Sequence, residues 1–169
     1  MKKNVVLLGM KAVWKSTIAK IAAKRGKLKF IDTDSNIQKK NLMTISEIFE
    51  KKGETFFRNE EEKEVLKSLK KSNSIIALGG GAFINENLRK SILKTSISIW
   101  MDINLETLAK RIQNNTRRPL LDKENNLEKL KAIFVKRKKF YKLANYRIKC
   151  DNLSKVNIAK KIVDIYEQQ

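Results

Sequence analysis

The sequence predicts an α/β fold, a three-layer α/β/α sandwich around a five-stranded parallel sheet, and three observations carry that expectation. Short apolar runs alternate with stretches of helical spacing. Helix caps and glycine stops punctuate the transitions between them. Nearly every strand run is followed by a helix, the order that crossovers between parallel strands require, and such sheets take ligands at their strand carboxyl ends.

Asn4 to Leu8, apolar and β-branched, suits a buried parallel strand, and Ser16 to Lys24 follows with Ile18, Ile21 and Ala22 at helical spacing. Leu28 to Ile31 reads as the second strand, ending at Asp32-Thr33-Asp34, with a helix over Ser35 to Lys40. Thr44-Ile45-Ser46-Glu47 has the form of a capping box, so a helix starts there and runs to about Lys52, where Gly53 stops it. A longer helix spans Glu54 to Lys71, with Phe57, Val65, Leu66 and Leu69 as its apolar stripe. Ser74 to Leu78 is the third strand, closed by Gly79-Gly80-Gly81. Asn85 caps a helix to about Leu93, Ser96 to Met101 is the fourth strand, and Asn104 caps Leu105 to Gln113. The polar stretch 114–126, with Arg117-Arg118-Pro119, reads as a mobile lid. Leu127 to Leu143 returns to helical spacing, Tyr146 to Lys149 makes the fifth strand, and Ser154 caps a final helix to about Tyr166.

At 169 residues the chain fits a single domain, 1–169, able to bury roughly 70% of its unfolded surface. No apolar run approaches the ~20 residues of a membrane span and no signal pattern is evident, so a cytoplasmic location without membrane association is expected. One cysteine excludes an internal disulfide, and the lack of histidine argues against zinc sites and histidine-based acid–base chemistry. A formal charge of +20 would suit a nucleic-acid partner. The lysines are, however, spread over nearly every helix without a basic tail, so no specific nucleic-acid partner is expected, only adhesion to polyanions.

Residues 9 to 17, Gly-Met-Lys-Ala-Val-Trp-Lys-Ser-Thr, place Gly9, Lys15 and Ser16 at the positions of a phosphate-binding loop. In such a loop backbone N–H groups wrap an anionic phosphate, the lysine reaches the β- and γ-phosphates and the hydroxyl ligates Mg²⁺. Trp14 stands where the second glycine belongs. Asp32 and Asp34, the triple glycine and the lid then fall at the same sheet edge.

Over nearly its whole length the chain resembles the shikimate kinases, small members of the P-loop kinase group similar to nucleoside-monophosphate kinases. The resemblance rests on that loop, on Phe30-Ile31-Asp32-Thr33-Asp34, and on Ile48-Phe49 followed by Gly53-Glu54, Phe57-Arg58 and Glu61. It continues through Leu78-Gly79-Gly80-Gly81-Ala82, Arg118-Pro119-Leu120-Leu121, and Arg137 four residues before Tyr141.

The resemblance implies transfer of the ATP γ-phosphoryl group to the 3-hydroxyl of shikimate, with Mg²⁺, in aromatic amino-acid biosynthesis, a chemistry of positioning and charge neutralisation. It implies that Gly9, Lys11, Lys15, Ser16 and Thr17 hold ATP, that Lys15 stabilises the developing charge, and that Ser16, with Asp32 through water, holds the metal. Asp34 would accept a hydrogen bond from the attacking hydroxyl and orient it, in the position of a base. Arg58 and Arg137 would clamp the substrate carboxylate, and Gly79, Gly80 and Gly81 would let the ring come close. Helices over about 35–63 would carry the acceptor, Arg118 would close over the phosphates, and Arg111 would stack on adenine. The family's glycines at positions 12 and 14 are here Ala12 and Trp14, with Lys11 adding charge. Three readings follow: a working shikimate kinase with weakened ATP affinity, a relative that binds shikimate but uses ATP poorly, and a P-loop kinase of another small hydroxylated metabolite. A monomer is expected.

Overall fold

The computed structural model describes the backbone of residues 3–113 and 123–169. Along the chain run β1 (Asn4–Leu8), α1 (Lys15–Gly26), β2 (Lys29–Asp32), α2 (Thr33–Asn41), α3 (Ile45–Leu69) and β3 (Ser74–Ala77). A single 3-10 turn (Ala82–Ile84) leads to α4 (Glu86–Thr95), β4 (Ser96–Asp102), α5 (Leu105–Gln113), α6 (Lys123–Tyr141), β5 (Tyr146–Lys149) and α7 (Lys155–Glu167). The five strands form one sheet in the order β2-β3-β1-β4-β5, and every pairing is parallel. This is the predicted three-layer α/β/α architecture.

β1 lies at the centre because it can: Val5, Val6, Leu7 and Leu8 are at most 1% exposed, which a strand covered on both faces demands. Its neighbours are β3 on one side and β4 on the other, so the crossovers leaving it diverge and open a crevice at its carboxyl end. α1 packs against α7, and α4 against α3 and β4. Ile18, Ala19, Ala22 and Ala23 of α1 join Ile158, Ala159, Ile162 and Val163 of α7 in the main core. A second, smaller core of Ile37, Ile48 and Phe57 lies between α2 and α3, separate from the first.

The caps form as the sequence predicts. Thr44 and Glu47 make a reciprocal capping box, while Asn85, Asn104 and Ser154 each accept a backbone N–H three residues on. Gly53, at φ 84° and ψ 168°, interrupts α3 where a stop was expected. Cys150, just past β5, is fully buried, and burial pushes its thiol up to about 12.

Three expectations need correction. α2 begins at Thr33 rather than Ser35, because the Asp32 carboxylate caps it by accepting from the Ser35 N–H at 2.9 Å. Asp34 therefore sits in the first helical turn, where the positive end of the helix dipole faces a carboxylate. Leu66 is exposed, and Glu60, Glu61 and Ser68 are buried instead, because Glu60 packs beside Lys40 of α2, Glu61 meets Arg58 and Ser68 bonds Glu64. α6 begins at Lys123, four residues before the predicted Leu127, since its first turn has no apolar residue to announce it. Residues 123–126 of the predicted lid thus belong to that helix, and 114–122 lie outside the described residues.

Candidate active site

The loop between β1 and α1 keeps a glycine-type backbone without the glycines. Ala12 and Trp14 adopt φ 62° and 61°, in the left-handed region. For residues with a Cβ that conformation costs about 1–2 kcal/mol each. Trp14 in the left-handed region followed by helical Lys15 turns successive N–H groups toward one side, as in an anion-binding nest. Gly9 cannot be replaced in this way: at φ 142°, a Cβ on it would lie 2.7 Å from the Met101 carbonyl oxygen of β4. Lys15 bends back over the loop, its Nζ donating to the carbonyls of Gly9 and Met10 at 2.8 Å each. Burial pulls its ammonium down to about 8, with Asp34 opposing.

One cleft is lined by Lys11, Trp14, Lys15, Ser16 and Thr17 from the loop and by Asp32 and Asp34 across it. The Ser16 hydroxyl donates to the second carboxylate oxygen of Asp32, so the hydroxyl expected to ligate a divalent cation and the carboxylate expected to hold it through water are already in contact. A hydroxyl and a carboxylate suit the oxygen preference of Mg²⁺, so these residues fit the ion.

Gly79, Gly80 and Gly81, after β3, bring the acceptor side together. A Cβ on Gly79 would stand 2.6 Å from Asp34 Oδ1 and 2.8 Å from Glu61 Oε1. On Gly80 it would meet an Arg137 guanidinium nitrogen at 2.8 Å, and on Gly81 it would lie 2.6 Å from the nearest Arg58 nitrogen. A Cβ at any of the three would push one of these side-chain ends aside, so the three glycines are the floor on which two arginines and two carboxylates converge. Among the described residues, Asp34 Oδ1 and Glu61 Oε1 are buried without a hydrogen-bond partner. Buried polar atoms of this kind are ordinarily paired, which marks both as acceptors awaiting a donor. Burial, followed by the charge of Asp32, holds the Asp34 carboxyl above the ordinary carboxylate range. Burial also raises Glu61, against the pull of Arg58.

Arg58 is aimed from α3 by Glu61, which accepts from it at 2.7 Å, the i,i+3 pair anticipated from spacing. Glu54 holds the other edge of the guanidinium at 3.4 Å. Arg137 arrives from α6, and one turn later Tyr141 donates its hydroxyl to the Gly80 carbonyl. Burial pushes the Tyr141 phenol up to about 12, so it stays a donor. Tyr141 thus pins the glycine floor, a role its sequence did not reveal beyond the fixed spacing from Arg137. Arg118, named above for closure over the phosphates, lies outside the described residues.

Arg111, expected to offer its face to a base, is half-buried on α5 with its face covered. Its guanidinium carbon lies 3.6 Å from the centre of the Trp14 ring, and Lys155 Nζ lies 4.3 Å from the same centre. Neither contact was legible in the sequence, since α5 and α7 are brought to the loop only by the sheet.

Along its length the chain is similar to a group of known proteins. The family model described as "Shikimate kinase" matches residues 11–167. The shikimate kinase of Sulfurihydrogenibium sp. is 37% identical over 161 residues, covering 95% of this chain and 96% of that one. That of Thermodesulfovibrio yellowstonii is 34% identical, covering 98% and 96% respectively. Among solved structures, the Acinetobacter baumannii shikimate kinase in complex with shikimate superposes with a TM-score of 0.90 at 28% identity, over 99% of this chain and 94% of that one. With loop, carboxylates, glycine floor and arginines in one crevice and the likeness spanning the chain, the protein belongs to the shikimate kinase family.

Proposed function

We propose that the protein transfers the ATP γ-phosphoryl group to the 3-hydroxyl of shikimate, as a cytoplasmic, monomeric enzyme of one domain. The observation that carries this reading is the convergence of Asp34, Arg58 and Arg137 on Gly79–Gly81, beside the cleft that holds Lys15. Two guanidinium groups at one end of a small pocket suit a carboxylate, for which their planar donors are shaped. The unpaired Asp34 Oδ1 suits a hydroxyl. An acid that carries both groups fits this site better than a neutral polyol does. Among the described residues no helix is long and apolar enough to cross a membrane.

In this reading the Arg58 and Arg137 guanidiniums anchor the substrate carboxylate, and Asp34 accepts the proton of the attacking hydroxyl and aims its oxygen at phosphorus. The loop N–H groups and Lys15 hold the β- and γ-phosphates and neutralise charge as it develops on the transferring group. To do so Lys15 exchanges its two carbonyl partners for phosphate oxygens. Ser16 and Asp32 would hold Mg²⁺, which when bound neutralises phosphate charge. Glu61 keeps Arg58 in place, and Tyr141 keeps the glycine floor in place.

A coupled ADP-release assay tests this. ADP should appear in proportion to added shikimate, and neither gluconate nor water should replace it as acceptor. Release that ignores shikimate, or equal release with gluconate, would sink the proposal.

A further inference from the structure

The two arginines of the acceptor site are held by different means. Arg58 of α3 faces two carboxylates: Glu61 accepts from it at 2.7 Å, and Glu54 lies 3.4 Å from its Nε. Arg137 of α6 has no such partner, since among the described residues no carboxylate comes within ion-pair distance of it. What it meets instead is a phenol. Arg137 and Tyr141 stand one turn apart on the same face of α6, and the guanidinium donates to the Tyr141 hydroxyl oxygen. That hydroxyl in turn donates to the Gly80 carbonyl. A Cβ on Gly80 would lie 2.8 Å from an Arg137 nitrogen, so guanidinium, phenol and glycine close into one contact.

Resting on the phosphate-transfer reading above, we propose that Tyr141 is a positioning residue for the acceptor carboxylate: its hydroxyl fixes the aim of Arg137 and leaves the charge of that guanidinium to the ligand. The ring gives the hydroxyl a fixed base. Tyr141 is 1% exposed and packs against Trp100, their centroids 6.1 Å apart, with Met10 Sδ 3.9 Å from the hydroxyl oxygen. A phenylalanine would fill the same volume, so only the hydroxyl sets tyrosine apart. Burying a hydroxyl costs free energy unless it is bonded, and this one bonds in both directions. A carboxylate in its place would orient Arg137 and cancel its charge at once, as Glu61 partly does at Arg58. A neutral phenol orients without cancelling. Arg137 therefore supplies the uncompensated positive charge that favours an acid over a neutral polyol, and Tyr141 acts on that preference through it.

Initial rates of ADP release at saturating ATP give kcat and KM for shikimate in the parent protein, Tyr141→Phe, Arg137→Ala and the double variant. In the parent background Tyr141→Phe should raise KM about tenfold, the scale of one hydrogen bond to a charged group, with the loss in KM rather than in kcat. In the Arg137→Ala background the same substitution should change KM by less than about twofold, because the residue it acts through is gone. An equal penalty in both backgrounds would make Tyr141 a support of the glycine floor alone and overturn the proposal. An unchanged KM for Tyr141→Phe would overturn it as well. Calorimetric titration of ADP shows whether each variant is folded. If Tyr141→Phe has lost ADP binding, or Arg137→Ala has no measurable turnover, Arg137→Lys decides. An ammonium keeps the charge but offers no planar donors for the hydroxyl to aim, so KM should rise about tenfold. A KM equal to the parent's would overturn the proposal. If the parent itself releases ADP without regard to shikimate, the phosphate-transfer reading fails and takes this one with it.

Discussion

The two halves of the crevice are built on opposite principles. The acceptor half is already assembled: three glycines closely approached by the ends of two arginines and two carboxylates, Arg58 held by the buried Glu61, and a tyrosine hydroxyl fastened to the floor. The phosphate half keeps its shape through strain, with Ala12 and Trp14 in a conformation glycine adopts freely, and its lysine is occupied by the loop's own carbonyls. The acceptor half is preorganised for its ligand, whereas the phosphate half is preorganised around itself. ATP must therefore reorganise what it binds, while shikimate need not. Such a division predicts that substitutions on the two sides separate cleanly in kinetics.

The largest effect is expected from Asp34→Asn, which keeps the shape of the site but removes the acceptor for the hydroxyl proton. Turnover should drop by about 10²–10⁴-fold, while calorimetry finds shikimate still bound. A variant with near-normal turnover would mean that Asp34 only lines the pocket. Next in size, Arg58→Ala should raise the KM for shikimate by roughly 10- to 100-fold, the scale of a charge-assisted hydrogen bond, and leave the KM for ATP unchanged. If the ATP value moved as far, the two halves would not be independent.

pH sharpens the contrast further. Lys15 is charged below about 8 and loses its proton above that, and polyphosphate favours the charged form. Affinity for ADP should therefore hold steady below pH 8 and weaken above it, by up to about tenfold per pH unit, with proton uptake on binding near pH 8 visible as a dependence on buffer ionisation heat. Shikimate affinity should not follow that curve. Asp34 acts in the opposite direction: because its carboxyl is held above the ordinary range, the acid limb of kcat should lie higher than for a solvated aspartate. The smallest effect belongs to Ala12→Gly. Relief of the left-handed alanine is offset in part by the greater freedom of glycine in the unfolded chain, so a gain of no more than about 1 kcal/mol is expected in thermal unfolding. A loss of stability would show that Ala12 is packed rather than strained.

Much of this was legible along the chain because it is local. The capping box at Thr44, the Asn85, Asn104 and Ser154 caps and the break at Gly53 depend on neighbours a few residues away, and all stand where the spacing put them. The order of strand ends placed the loop, Asp32, Asp34 and the triple glycine at one edge, and spacing paired Arg58 with Glu61. What escaped is long-range. The first turn of α6 has no apolar residue to betray it, and Leu66 fits the expected stripe of α3 but is exposed, while Glu60 and Glu61 are buried by partners distant in sequence or across a turn. The hold of Tyr141 on Gly80 and the contacts of Arg111 and Lys155 with the Trp14 ring are set by how α5, α6 and α7 settle on the sheet, which no window of sequence encodes.

The chain's single sulfhydryl at Cys150 has a practical value of its own. Shielded from solvent and held as the neutral, unreactive thiol, it leaves the native protein silent toward maleimide reagents. A cysteine introduced at an outward position such as Leu42, 91% exposed between α2 and α3, would take up one dye per molecule with no background to remove first. The sequence already supplies the clean surface needed to test whether α2 and α3 stay still when shikimate binds.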